Sequence, residues 1–296
     1  MKKRILSLAT AMAVILTMAS CQKEQKENSA KGILFYASYN GDIQTKATSV
    51  FTSGNKVTIL GYSSGVDVTS SSAVSGTPLE ATCGASGLLT PASALYLPKG
   101  SYDFYSVSLN SSTAPGLIFT SGQSAQLSNG IDYLWAKSTG ISEGGTASFM
   151  YYHKAVGIEI NITSGTGVSG LSVTSIKITP TIPTAASKMS LSNGIIGSAN
   201  DVGVSTAMNL SGSKGTYIML PINSTAINVE LTVNATIGGT PVTAKKYTST
   251  IPAQIYASGS YYIINFTVSS SAMQFTGAQV QDWTTQSITG ATLAEQ

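Results

Sequence analysis

An eleven-residue alternation constrains this chain more than any other feature. Ile227, Val229, Leu231, Val233, Ala235 and Ile237 are apolar, and Asn228, Glu230, Thr232, Asn234 and Thr236 between them are polar or charged. A period of two puts the first set on one face of a β-strand and the second on the other. On a helix the same residues would scatter around the axis. Shorter runs repeat the pattern: Ile158, Ile160 and Ile162 against Glu159 and Asn161, then Tyr262, Ile264, Phe266 and Val268. β-Branched and aromatic residues suit such a pleated, half-buried surface. Clusters of turn-forming residues separate the runs. Beyond the N-terminal leader no stretch of about twelve residues carries a helical period. The fold class is all-β.

The pattern predicts strands at Ile33–Tyr39, Lys56–Tyr62, Ala94–Leu97, Ser101–Leu109, Gly116–Thr120, Asp132–Lys137, Thr146–His153 and Val156–Thr163. In the second half it predicts Leu171–Thr179, Met189–Ser192, Ala207–Leu210, Thr216–Pro221, Ile227–Ile237, Val242–Thr248, Ser260–Ser269 and Met273–Val280. Ser164–Gly170 is rich in Gly and Ser and poor in large apolar residues. It marks a junction between two domains, 32–165 and 166–296, each large enough for its own core.

The first residues are an export signal. Lys2, Lys3 and Arg4 form a charged start, Ile5 to Met18 an apolar stretch, and Met18-Ala19-Ser20-Cys21 a cleavage site. The apolar stretch is short of the roughly 20 residues that a membrane span needs. The small residues before Cys21 resemble a bacterial lipobox, at which Cys21 is acylated and becomes the new N-terminus after removal of 1–20. Polar 21–31 reads as a flexible tether, and more than one lipid chain makes a stable anchor.

The formal charge of +3 is a property of the leader and tether. From Gly32 onward ten Lys face eleven acids, a net of −1, and the chain's single Arg is Arg4. With no basic patch or groove-reading helix, nucleic acid is excluded as a partner. If Cys21 carries lipid, Cys83 stands alone and no intrachain disulfide forms. In ATCGASG, Cys83 reads as a half-buried small residue, although a reactive thiol is the other reading.

The segment Gly32–Phe51, GILFYASYNGDIQTKATSVF, combines a strand with a cleavable connection. Ile33, Phe35, Ala37 and Tyr39 share one face of the strand, and Asn40-Gly41-Asp42 is a turn. Lys46 is the only cationic residue between Lys31 and Lys56. A trypsin-like protease reaching this loop finds one bond to cut, between Lys46 and Ala47, and the cut would free the strand from the domain it helps to build.

Several fragments imitate catalytic motifs. Gly61-Tyr62-Ser63-Ser64-Gly65 matches G-x-S-x-G, and Asp103 or Asp132 followed by His153 gives a permissible triad order. A hydrolase elbow needs a helix after the serine, and VDVTSSSAVSG has no helical period. Gly61 and Gly65 read instead as strand-end and turn residues. His153 is the only His, without the Cys and acid spacing of a zinc site, and reads as a satisfied structural residue. The acids form neither a close general acid/base pair nor a calcium loop. No enzyme, cofactor or metal is expected. The fourteen Tyr could stack on sugar rings, but Tyr102, Tyr105, Tyr151, Tyr152, Tyr261 and Tyr262 fall in strand runs, where cross-strand packing accounts for them.

Taken together, these segments resemble the fimbrillin family, the type V pilins and fimbrillin-like lipoproteins of Gram-negative bacteria. The likeness spans nearly all of the mature chain: the lipobox at Cys21, ILFYASYNGDIQTKAT, Phe51 to Tyr62, LYLPKGSYDFYSV, DYLWAKS, FMYYHKAVGIEINIT, and YYIINFTV followed by AQVQDW. The resemblance implies two tandem antiparallel β-sandwich domains of transthyretin-like type, lipid anchoring at the outer membrane, and a place in a pilus. It also implies removal of a first strand, 32–46, by cleavage at Lys46 to leave Ala47 as N-terminus. Subunits of the family polymerise by strand exchange, the C-terminal segment of one filling the groove vacated in the next. Here that segment follows Trp283, with Ile288 and Leu293 as its large apolar residues. The expected partners are other pilus subunits and host or bacterial surface ligands. The position in a filament, stalk, tip or accessory, stays open. The alternative function is a surface glycan-binding lipoprotein.

Overall fold

Strands, turns and irregular connections make up the described residues of this computed structural model, which are 31–39, 53–270, 272–282 and 286–288; no helix occurs among them. The all-β expectation holds. Cys21, Lys46, Ala47 and Leu293 lie outside the described residues.

The first half contains β1 (Leu34–Tyr39), β2 (Lys56–Ser63), β3 (Leu79–Cys83), β4 (Leu88–Pro91), β5 (Ser101–Ser108), a short pair β6 (Phe119–Thr120) and β7 (Gln123–Ser124), β8 (Leu134–Ser142) and β9 (Thr146–His153). All but β6 and β7 close into a barrel in the order β1-β4-β3-β2-β5-β8-β9. Closure depends on β1, which pairs antiparallel with β4 on one side and parallel with β9 on the other. The interior is filled by Phe35, Val57, Ile59, Leu89, Phe104, Leu134 and Phe149.

The second half contains β10 (Val156–Ser164), β11 (Val168–Ile178), β12 (Thr181–Ile182), β13 (Asn200–Val202), β14 (Thr206–Ala207), β15 (Asn209–Ser211), β16 (Lys214–Met219), β17 (Ile222–Ile237), β18 (Thr240–Tyr256), β19 (Ser260–Val268), β20 (Met273–Asp282) and β21 (Gln286–Ile288). One sheet runs β15-β16-β10-β19-β20-β21 and another β14-β11-β17-β18. Their facing sides share a core in which Ile158, Ile160, Ile176, Val229, Leu231 and Phe266 are buried. The alternator that opens the sequence is β17, with Ile227, Val229, Leu231 and Val233 fully buried. β10 repeats the arrangement of β1: it pairs antiparallel with β16 and parallel with β19.

Within the Gly/Ser-rich stretch Ser164–Gly170 only 165–167 lie between β10 and β11, and both strands belong to the sheets of the second half. The change of sheet falls between His153 and Val156. A third apolar cluster spans this change. Leu60, Tyr105 and Trp135 from the barrel meet Met189, Leu191 and Leu220 from the second half, and Trp135 Nε1 donates to the Leu191 carbonyl at 2.8 Å. β2 and β5 therefore bury both faces, which explains why their sequences read as nearly continuous apolar runs.

Several strand predictions differ from the structure. Met189–Ser192 makes only isolated bridges, Ser190 with Gln123 and Met189 with Ile196, and of Gly116–Thr120 only Phe119–Thr120 is strand. Ala94–Leu97 is irregular: Leu95 is buried and Tyr96 is 58% exposed, but the segment crosses one end of the barrel instead of joining a ladder. β3 and β4 went unpredicted; Leu79, Ala81 and Cys83 do alternate inward, in a strand of only five residues.

Candidate functional site: the slot of the first strand

β1 lies where sequence alternation meets barrel closure. Ile33 and Phe35 point into the barrel and are buried, and Ala37 packs against the same core. Leu34 and Tyr36, between them, are 52% and 38% exposed. The period-two reading of this segment is correct for these residues. Tyr39 ends β1, its backbone opposite Tyr151.

Phe35 is the anchor, only 1% exposed. Its ring meets the edge of Phe104 at 5.3 Å and lies parallel to Phe149 at 6.2 Å. Such aromatic pairs contribute about 0.5–1.5 kcal/mol beyond the area they bury. The backbone is held on both sides. The Ile33 amide donates to the Leu95 carbonyl at 2.9 Å, the Leu34 amide to Gly145 at 3.0 Å and the Ala37 amide to Gly87 at 2.6 Å. Ser38 Oγ adds a bond to the Phe149 carbonyl at 3.1 Å.

Gly87 makes the approach possible. It has φ +77°, and a Cβ placed there would collide with the Ala37 carbonyl oxygen. A side chain is disfavoured by backbone conformation and by space alike. Gly87, Leu89, Leu95, Phe104 and Phe149 are the slot walls that the sequence reading did not identify. The ATCGASG stretch signals a turn, but nothing local indicates that this turn receives β1.

Without β1, Leu89, Phe104 and Phe149 would lose their cover, and β4 and β9 would each present an unpaired edge. Burying one Ile or Phe contributes about 1.5–3 kcal/mol, against a whole-domain stability of about 5–15 kcal/mol. An emptied slot is therefore marginal, and it is a template for another strand.

Of the candidate donor residues, Ile288 ends β21, which pairs with β20 at the edge of the second half (Ala278 opposite Ile288).

The catalytic look-alikes are not assembled. Ser63 ends β2 and is followed by a turn. Burial opposes ionisation of Asp103. Hydrogen bonds from Ser64 Oγ (2.7 Å), the Gly140 amide (2.9 Å) and the Gly65 amide (3.3 Å), with the Lys137 charge nearby, outweigh it and hold the carboxyl below its ordinary range. His153 Nδ1 instead bonds Asp132 at 2.8 Å, and Asn110 donates to the other Asp132 oxygen at 2.9 Å. His153 is thus hydrogen-bonded within a structural network. Among the described residues no group of three or more His, Cys, Asp or Glu side chains stands together. Cys83, read as half-buried, is fully buried inside the barrel, and burial pushes its thiol up. Tyr102, Tyr105, Tyr151 and Tyr262 are buried, whereas Tyr152 is exposed.

The fimbrillin-like family model matches residues 45–283. No curated protein matches the chain. A candidate cell adhesion protein from Bacteroides uniformis has a similar structure: TM-score 0.63, 17% identity, 88% of this chain and 100% of that one. Another from Bacteroides ovatus gives TM-score 0.62, 16% identity, 87% of this chain and 99% of that one. The tip fimbrial protein Mfa3 from Porphyromonas gingivalis, with a C-terminal truncation, gives TM-score 0.51, 10% identity, 86% of this chain and 100% of that one. At these identities the likeness is one of fold.

Proposed function

Starting from the fact that this chain belongs to the fimbrillin-like family, we propose that it is a pilus subunit or pilus-associated adhesion lipoprotein built to exchange its first strand. The role is structural, with no catalytic residue. Export leaves Cys21 lipidated at the outer membrane. Cleavage between Lys46 and Ala47 then disconnects β1 from β2. β1 leaves, and the slot between β4 and β9 takes an extended segment of another subunit, for which the tail around Ile288 and Leu293 is the donor.

One observation carries this reading. β1 contributes Ile33 and Phe35 to the barrel core and is hydrogen-bonded on both sides, while the connection leading to β2 holds a single basic residue, Lys46. A strand so central to closure, joined through one cleavable site, suits a temporary occupant. Filling the slot of each subunit from the next is a head-to-tail contact, which builds an open filament instead of a closed dimer.

Limited trypsin digestion of the non-lipidated protein tests the proposal, read by N-terminal sequencing and by denaturing gels loaded without boiling. Early appearance of an Ala47 N-terminus with a ladder of heat-sensitive multimers is expected. A resistant Lys46, with the monomer intact, would contradict it.

A further inference from the structure

The outer face of β1 is apolar as well. Leu34 and Tyr36 alternate with the buried Ile33 and Phe35 and stand exposed, and on the neighbouring β9 Met150 and Tyr152 are exposed in turn. These are four of the twelve large apolar side chains exposed among the described residues, and they fall on two adjacent strands. Register joins them into one patch. Tyr36 lies opposite Ser148 and Ser38 opposite Met150, so Tyr36 and Met150 are diagonal neighbours, within reach of long side chains. Tyr152 Oη donates to Met150 Sδ at 3.2 Å. On the other flank Tyr36 is opposite the half-buried Leu88. A sheet with one solvated face ordinarily turns polar residues outward, and contiguous apolar surface marks a contact.

Charge and chain length indicate what that contact is made with. No acid occurs in β1, β4 or β9. Exposed lysines border the patch: Lys31 precedes β1, and Lys137 follows two residues after Trp135, the β8 partner of Tyr152. The connection from Cys21 to Lys31 reaches at most about 35 Å when fully extended. A lipid on Cys21 therefore keeps this face within reach of the bilayer. β1 supplies part of the patch, so the patch is complete only while β1 is seated.

We propose that the outer face of β1 and β9 docks on a bilayer carrying anionic headgroups while the chain is anchored through Cys21. Tyr36 and Tyr152 then sit at headgroup level, where tyrosine is favoured, and Lys31 and Lys137 are drawn to the anionic surface. The inference rests on the lipidation and strand exchange proposed above. Departure of β1 carries away the anchor, Lys31, Leu34 and Tyr36 together, so opening of the slot and release from the membrane become one event.

The mature chain, coupled through the Cys21 thiol to a maleimide lipid, tests this on vesicles of phosphatidylethanolamine and phosphatidylglycerol. Cys83 is buried, so coupling selects Cys21. Acyl chains brominated near the headgroup quench tryptophan that reaches the interface. Emission of Tyr36→Trp, or of Met150→Trp should that variant misfold, should fall about twofold on brominated vesicles, as interfacial burial implies. Leu210→Trp, on β15 and exposed, should keep its emission. Adding Leu34→Ser and Tyr152→Ser should remove most of the quenching. Equal emission on both kinds of vesicle overturns docking and leaves strand exchange standing. So does quenching that survives the two serines, or that is as strong at position 210. Dimers on the vesicle that the serines disperse, without quenching, assign the face to a second copy and overturn the lipid contact. The chemical tether makes these outcomes independent of acylation in the cell. Mass spectrometry of the native N-terminal peptide reads acylation separately, and a Cys21 without acyl chains overturns the anchored state and the docking with it.

Discussion

Phe35 lies parallel to Phe149, with ring planes within 6° and centroids 6.2 Å apart, although the two residues belong to opposite ends of the barrel's sequence. This contact locks the first strand of the barrel to its last, next to the backbone pairing of Phe35 with Ala147. The closed state depends on such long-range contacts, and they set the first prediction.

Replacing Phe35 by Ala should cost about 3–5 kcal/mol, as deletion of a buried aromatic ring does. Tyr36→Ala, on the exposed face of the same strand, should stay within about 1 kcal/mol. Urea denaturation midpoints of the two variants measure the contrast. Equal losses would mean that β1 is not seated as described.

How much of this was legible in sequence follows from the range of each signal. The inward set Ile33, Phe35 and Ala37 is written in the local alternation of ILFYASY, and so is β17. The seat of β1 is not. Its partners begin at Leu88 and Thr146, and a local period states which residues face inward without stating against what. The crossing segment at Ala94–Leu97 misleads for the same reason. It alternates like a strand, yet its Leu95 carbonyl serves Ile33. The roles proposed for Lys46 and Cys21 rest on sequence motifs alone, and both residues lie outside the described ones.

Gly87→Ala should loosen β1 more than Gly116→Ala does. Both glycines have positive φ, but only at Gly87 would the added Cβ strike the Ala37 carbonyl; nothing lies within 4 Å at Gly116. Conformational strain of about 1 kcal/mol is common to both, and the collision is extra. Hydrogen exchange at the Ala37 amide should accelerate in the first variant and stay near the parental rate in the second.

The thiol of Cys83 should report barrel opening. It is buried in the interior on β3, and burial pushes it up from its ordinary value, so alkylation of the closed barrel is slow. Phe35→Ala should accelerate alkylation at Cys83, mapped by mass spectrometry, by at least about tenfold. An unchanged rate would show that loss of Phe35 leaves the interior closed.

Asp103 ties the Ser64–Gly65 turn to Gly140. Its folded carboxyl is held below the unfolded value of about 3.9, so its contribution is present above that pH and is lost as pH falls through the lower folded value. Between neutral pH and pH ~3 the parent should therefore lose more stability than Asp103→Asn. Parallel urea midpoints for the two proteins across this range would contradict the assignment.

The most direct measurement follows the first strand after cleavage between Lys46 and Ala47. The nicked protein is concentrated, separated by size, and each fraction assayed by mass spectrometry for the fragment that carries Phe35 and ends at Lys46. The account predicts multimers that have lost this fragment and a monomer fraction that retains it, because a slot is emptied only as another subunit's strand fills it. Multimers that keep the fragment in full, or complete release of the fragment with the protein still monomeric, would contradict strand exchange.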